Sequence, residues 1–395
     1  MNLTENQYSA LHAVNPSYGR TGLRLRPFIE PLIESAAAHR ILDFGCGKGV
    51  LGKRLQVSRS LDVHLYDPYV SEFSAMPGDA FDMVLCTDVL EHIPEEALDP
   101  LLSEVADYAE RAVFVISLTF ADQLLPNGDN AHCTIRPKEW WRSRLLARFP
   151  IVAEVPTLQD TACCFVTWAV DRKTIARLSA AQKHAIARRL VVNLALRPLK
   201  GIALPLKRWV KAEELFDALD GKSVAIVGNS PSLGVQSHGP LIDEHDVVLR
   251  MNRGPILSRA SHGAKTDILA TSIPISSGLV DVRQARFVLW MTPKRARMPV
   301  WMFKRNVTYV HPRRESLRLA AKFNARPSTG AMVVELMRLS PASKVSLFGF
   351  DGFVTGSLSA LQPRTKVPHD FNREQQYINL VAREDSRFEV ISMPS

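Results

Sequence analysis

The sequence predicts an α/β protein of two doubly wound domains joined by a basic helical connector, and three observations predict it. RILDFGCGKGVLGKRL (Arg40 to Leu55) and SVAIVGNSPSL (Ser223 to Leu233) each run from a short apolar strand into a glycine-bearing turn. Each is followed by a second strand, LDVHLYDPY in the first case and DVVLRMN in the second, as a parallel sheet requires. Between them, the stretch from Arg172 to Leu219 is basic, rich in helix formers and low in glycine until Gly201. At 395 residues the chain is too long for one ordinary core. Residues 1–171, 172–215 and 216–395 are the expected first domain, connector and second domain.

Hydrophobic content of 46% and charged content of 23% describe a soluble globular protein. No run of about 18 apolar residues occurs, and MNLTENQYSALHAVNPSYG lacks the basic start and apolar centre of a signal peptide. Five cysteines at irregular spacing form no CxxC pair, which suits a reducing compartment and a cytoplasmic location. The net charge of +9 favours anionic partners such as activated sugars, anionic glycans or phospholipid. Nucleic acid is not expected, since no basic stripe interleaved with aromatics is present. Residues 190–211 mix apolar and basic side chains, as would a helix lying on the inner face of an anionic membrane or one packed between domains.

In chain order, Pro27 and Pro31 are expected to break the helical lead-in before a helix from Leu32 to His39. The strand at Ile41 and Leu42 reaches Asp43, and Gly45, Gly47 and Gly49 open a helix. Asp67 ends the next strand about twenty residues after the turn, where a carboxylate can take ribose hydroxyls. FDMVLCTDVLEHIP brings Asp88, Glu91 and His92 to the end of a further strand. Taken together, DFGCGKG, Asp67 and DVLEHI resemble the class I S-adenosylmethionine-dependent methyltransferases, from about Leu25 to Asp171. The resemblance implies a Rossmann-like fold and S-adenosylmethionine as cofactor. Asp43, Gly45 and Gly47 would line its methionine end, Asp67 its ribose, and Asp88 to Glu91 would flank the site. His132, in a loop before a Trp-bearing helix, is the candidate base for an acceptor hydroxyl, with a structural loop histidine as the alternative. Trp140 and Trp141 are expected to pack that helix.

After the connector, broken in this reading at Pro198 and Pro205, VAIVGNSPSLGVQSHGPLIDEHDVVLRMN (Val224 to Asn252) sends two strands to one sheet edge. Gly228 allows close backbone approach, and Asn229, Ser230 and Asn252 offer polar groups suited to a nucleotide. Two core strands with ordinary turn residues would share this pattern. LVDVRQARFVLWMT and NVTYVHP read as further strands. PSTGAMVVELMRL (from Pro327) starts a helix behind Ser328, Thr329 and Gly330, an arrangement fit for a phosphate or a plain N-cap. HDFNRE places His369 and Glu374 at the start of a last helix.

These motifs, in this order, resemble the long, short and terminal His-x-x-x-x-Glu motifs of the eukaryotic-type sialyltransferase family. The resemblance implies a GT-A-like variant fold and a CMP-sugar donor, CMP-sialic acid or CMP-Kdo. It further implies inverting transfer with His369 as general base, and Gly228, Asn229, Ser230, Asn252, Ser328, Thr329, Gly330 and Glu374 around the donor. The family's cysteine pair is replaced here near Val224 and at Ser340, and its extra histidine motif is not recognisable, so the general acid is unassigned, with His311 a substitute. No DxD signature accompanies the motifs; metal independence is expected and no metal ligand is assigned. The joined expectation is transfer of a sialic acid or Kdo to a glycan acceptor, lipid-linked in one version, with O-methylation of the same or a neighbouring sugar. One catalytic half beside a scaffold, or methylation of an unrelated small molecule, is the alternative.

Overall fold

The computed structural model describes residues 3–14, 18–19, 21–76, 78, 80–158, 161–358 and 368–391. The chain divides into two compact units, one of Met1–Ala121 with Leu125–Val191 and one of Val192–Ser395 with Asp122–Leu124. Each is built on its own sheet.

The first sheet contains β1 (Arg40–Phe44), β2 (Asp62–Tyr66), β3 (Met83–Thr87), β4 (Ala112–Ser117), β5 (Ala153–Val155) and β6 (Ala162–Val166). Their order is β2-β1-β3-β4-β6-β5; the first four run parallel and β6 lies antiparallel to both β4 and β5. Strand alternation explains the two-sided core. Leu42, Phe44, Val84, Phe114 and Ile116 pack with Trp141 and Leu145 on one face, whereas Ile41, Met83, Leu85, Val113 and Val115 pack with Phe28, Ile29 and Leu32 on the other. Trp141 is fully buried and Trp140 lies beside it, which is the packing role expected of the pair.

The second sheet contains β7 (Ser223–Val227), β8 (Val247–Met251), β9 (Ile268–Thr271), β10 (Phe287–Trp290), β11 (Thr308–Val310), β12 (Lys344–Phe348) and β13 (Phe388–Ile391). All pairs are parallel in the order β11-β10-β9-β8-β7-β12-β13. Winding therefore reverses between β7 and β12, and the crevice at their carboxyl ends is where such sheets bind ligands. Val224, Ile226, Leu249, Leu347 and the helix Thr329–Arg338 fill one face beneath that crevice.

Three sequence expectations need correction. A helix covers Arg26–Ser35 rather than Leu32 to His39. Pro27 falls in its first turn, where no intrahelical amide is required, and Pro31 forfeits one internal bond without ending it. The connector helix is continuous over Arg172–Leu206, through Pro198 and Pro205; the bonds on either side of a single lost one carry a long helix onward. The start of LVDVRQARFVLWMT is helical, Ser277–Arg283, because Ser276 caps it by accepting the Leu279 amide at 3.1 Å. The membrane-surface role expected of 190–211 rests on side chains that, at 190 and 192–206, lie outside the described residues. Among the described residues no helix is long and apolar enough to cross a membrane.

Candidate functional site

In the first unit, β1 ends in a turn of three left-handed glycines, Gly45, Gly47 and Gly49 (φ +71°, +54° and +67°). A Cβ on Gly45 would lie 2.4 Å from Val89 Cγ2, and one on Gly47 2.7 Å from the Gly19 carbonyl oxygen, so neither position has room for a side chain. At the end of β2, Asp67 accepts the Gly47 amide at 2.8 Å and the Tyr69 amide at 2.9 Å. Each carboxylate oxygen keeps a further lone pair, which fits the ribose of S-adenosylmethionine. Asp43 sits under the turn, accepting the Gly52 amide at 3.1 Å, and burial pushes its carboxyl up to about 7.

Beyond β3, Asp88 takes a left-handed conformation (φ +56°) and Glu91 follows in a single helical turn, fully buried. Glu91 accepts the Ser117 amide at the end of β4 (2.8 Å). Burial, and then the neighbouring Asp88, push its carboxyl well up. His132 returns from the loop after β4 to meet this turn: its ring centre is 4.7 Å from that of His92, nearly perpendicular. His92 Nδ1 lies 2.6 Å from the Ala131 carbonyl and His132 Nδ1 2.7 Å from that of Thr119. Burial holds both imidazoles neutral, His92 down at about 3.

Sequence reasoning missed the N-terminal cover of this site. The helix Leu3–Val14 and the Tyr18-Gly19 turn lie against the glycine loop: Lys48 donates its amide to Gly19 (3.1 Å) and its Nζ to the His12 carbonyl (3.0 Å). Tyr8 donates to the Ala131 carbonyl at 2.8 Å, and the Tyr18 ring lies 6.4 Å from that of His92. Tyr8 and His12, one helical turn apart, were the available signal.

In the second unit, Gly228 and Gly349 follow β7 and β12 where winding reverses. The Gly228 amide donates to the Phe348 carbonyl at 2.7 Å, and a Cβ on Gly228 would stand 2.3 Å from the Gly349 carbonyl oxygen. Asn229 Nδ2 donates to the Met251 carbonyl (3.0 Å). Asn252 adopts φ +58°, which asparagine tolerates better than most residues, and its Oδ1 accepts the Ser272 amide at 3.1 Å. The Asn252 Nδ2 donors are what this leaves for a ligand. Ser272 also accepts the Thr329 hydroxyl (2.8 Å), which ties the end of β9 to the helix Thr329–Arg338.

Glu374, buried on the helix Phe371–Glu384, accepts both the amide of Ser328 (2.7 Å) and its hydroxyl. Burial pushes the Glu374 carboxyl up to about 7, against the opposing pull of Ser328. His369 Nδ1 lies 2.7 Å from the Arg326 carbonyl, and burial lowers its pKa. The structure thus brings Gly228, Asn229, Asn252, Ser328, Thr329, Gly330, His369 and Glu374 into one linked cluster.

Two roles shift within that cluster. Ser230 is buried; it donates its hydroxyl to Asp351 at 2.8 Å, and its oxygen also lies 2.8 Å from the Thr355 hydroxyl, so it fastens the loop after β12. Glu374 stands behind Ser328 and positions it. His311, the substitute acid, is buried just after edge strand β11 with its pKa lowered to about 4 by burial, so its ring is neutral at pH 7 and not the imidazolium a general acid needs.

Residues 17–153 match the sequence profile of a methyltransferase domain, and residues 199–284 that of glycosyltransferase family 29 (sialyltransferase). The chain joins a methyltransferase domain to a family 29 glycosyltransferase domain. Both are transferase domains with Rossmann-like sheets. The family 29 match spans the cluster residues from Gly228 to Asn252 and ends before Ser328 and His369. Ubiquinone biosynthesis O-methyltransferases from Bordetella avium (29% identical) and Bordetella pertussis (30%) align with 23% and 24% of this chain and with 44% and 45% of their own lengths. The chain therefore spans less than half of these curated relatives. Among solved structures, a mammalian sialyltransferase in complex with Gal-beta-1-3GalNAc-ortho-nitrophenol is 20% identical with a TM-score of 0.33, covering 44% of this chain and 70% of that one. A DhpI complex with SAH is 17% identical with a TM-score of 0.32, covering 43% and 98%.

Proposed function

We propose that the chain is a bifunctional glycan-modifying enzyme. The family 29 domain would transfer a sialic acid or Kdo from its CMP-activated form to a glycan hydroxyl, with inversion and without a metal. The observation that carries this reading is the fastening of His369 beside the Ser328 helix start. With Nδ1–H held by the Arg326 carbonyl, Nε2 keeps its lone pair to take the acceptor proton, and the low pKa keeps the ring neutral at pH 7. The acceptor oxygen attacks the anomeric carbon as the CMP oxygen leaves. Ser328 and Ala331 amides are engaged by Glu374 and Ser328 Oγ, so the remaining first-turn amides of Thr329 and Gly330 would receive the phosphate. Such preorganised donors supply the stabilisation that a general acid would otherwise give.

The methyltransferase domain would bind S-adenosylmethionine on Gly45, Gly47 and Asp67 and methylate the transferred sugar or its neighbour. S-adenosylmethionine supplies an electrophilic methyl group; the chain orients an acceptor hydroxyl towards it and excludes water. A cytoplasmic enzyme acting on a lipid-linked glycan at the inner membrane face fits this pairing. The likeness to ubiquinone biosynthesis O-methyltransferases favours a second reading, a small-molecule hydroxyl as methyl acceptor.

Calorimetric titration of the full chain with CMP and with S-adenosylhomocysteine tests the proposal. Both should bind, CMP affinity falling only in Asn252→Ala and S-adenosylhomocysteine affinity only in Asp67→Ala. Absence of CMP binding would remove the donor assignment.

A further inference from the structure

Glu91, His92 and His132 converge with no partner among them to converge upon. Glu91 spends Oε1 on the Ser117 amide, while its buried Oε2 makes no hydrogen bond among the described residues. Both imidazoles spend Nδ1 on main-chain carbonyls, so Nδ1 carries the proton and each Nε2 presents a lone pair. One ligand-capable atom from each residue lies within 4.8 Å of the other two.

The Glu91 Oε2 atom is buried and meets no hydrogen-bond partner among the described residues, and leaving such a polar atom unsatisfied is unfavourable. A cation satisfies all three residues at once. A far ring nitrogen fixed by a carbonyl is, moreover, how metal-binding histidines are oriented.

We propose that Glu91, His92 and His132 bind one divalent first-row transition cation in the methyltransferase domain. Two imidazoles favour manganese, iron(II), cobalt or zinc over magnesium or calcium, and three protein ligands leave coordination positions open. Tyr18 lies between this cluster and the cofactor side, its ring packing on His92 and its hydroxyl within electrostatic reach of Asp67 and Glu91. The same tyrosine thus borders both the cluster and the cofactor side proposed around Asp67.

The acceptor class follows, and this part rests on the methyltransferase reading above. Two adjacent oxygens, as in a vicinal diol or an α-hydroxy acid, would take the open positions. The bound hydroxyl loses its proton to solvent, its oxygen forms the new bond to the methyl carbon, and the S–CH3 bond breaks with its electron pair remaining on sulfur. His132 is then a ligand and not a free base. Glu91 and His92 are neighbours in sequence but His132 lies 40 residues on, so the sequence alone does not show the three as one set.

The full chain, stripped with a chelator, is titrated with cobalt(II) and followed by its visible absorption. One cobalt should bind per chain, and His132→Ala and Glu91→Gln should each weaken binding by at least about 10- to 100-fold, the range seen even for outer-shell changes. His64→Ala, an exposed histidine on β2, and Cys133→Ser, an exposed thiol beside the cluster, should bind as the parent does. Circular dichroism checks that each variant is folded. No cobalt spectrum up to about 1 mM, unaltered binding in both ligand variants, or loss of binding in Cys133→Ser would overturn the site. S-adenosylhomocysteine titration of the same protein separates the two readings, since its failure strikes the methyltransferase assignment and leaves the cobalt result standing. Methylation of a vicinal-diol glycoside that is indifferent to the chelator would overturn the acceptor role.

Discussion

Glu374 gives the sharpest link between proton binding and the architecture of the donor site. Its carboxyl rises from 4.5 to about 7 in the folded protein, chiefly through burial. Because the folded value is the higher, the unfolded chain ionises first as pH rises. Stability is therefore greatest at or below about pH 4.5, declines through pH 7, and is flat above it. The span corresponds to roughly 3 kcal/mol from this one group. Glu374→Gln keeps a carbonyl acceptor for the Ser328 amide and removes the titration. Relative to the parent, this variant should gain about 3 kcal/mol of local stability between pH 4.5 and pH 8. Glu374→Ala should lose about 1–3 kcal/mol at every pH, because the Ser328 amide loses its partner. Hydrogen exchange read by mass spectrometry on peptides from Thr329–Arg338 and Phe371–Glu384, corrected for intrinsic rates, measures both. Parallel pH dependence in the parent and Glu374→Gln would refute the reasoning.

The remaining expectations concern the two glycine turns and the base. Gly228→Ala drives a Cβ into the Gly349 carbonyl, backbone that cannot swing aside, and should destabilise the second unit by about 1–3 kcal/mol or more in denaturant unfolding. Asn252→Gly keeps the left-handed turn but loses the Ser272 bond; weaker CMP binding with little loss of stability should distinguish it from Asn252→Ala, which adds about 1–2 kcal/mol of backbone strain. Gly47→Ala should abolish S-adenosylhomocysteine binding in calorimetry, since its Cβ meets the Gly19 backbone. If His369 is the base, glycosyl transfer should fall on acidification with a midpoint below the ordinary imidazole value of 6.5, because burial lowers its pKa. A midpoint above that value would point to another group.

Much of the scaffold was legible because its signals are local. DFGCGKG and IVGNSPS mark strand ends whose glycines need left-handed or side-chain-free backbone, and Asp67 lies a fixed distance on. Local signals failed where they were ambiguous. A proline in a first helical turn reads like a breaker, as at Pro27, and the short apolar run LVDVR fits a strand until the Ser276 cap is seen. The long helix through Pro198 shows the converse, one forfeited bond outweighed by its neighbours.

The chemistry was only half legible, for a different reason. Sequence shows which groups a motif offers, but not which of them the fold has already spent. Ser328, Thr329 and Ser230 read as hydroxyls for a nucleotide, yet their oxygens are committed to Glu374, Ser272 and Asp351. A hydroxyl so held cannot also give its proton to a phosphate, so the burden passes to main-chain amides and to Asn252 Nδ2. The reverse holds at Glu91 and His132, where separate motifs read as a flanking acid and a lone base. There the fold leaves the Glu91 Oε2 atom without a partner and gathers it with two imidazoles, the arrangement on which the proposed cation site rests.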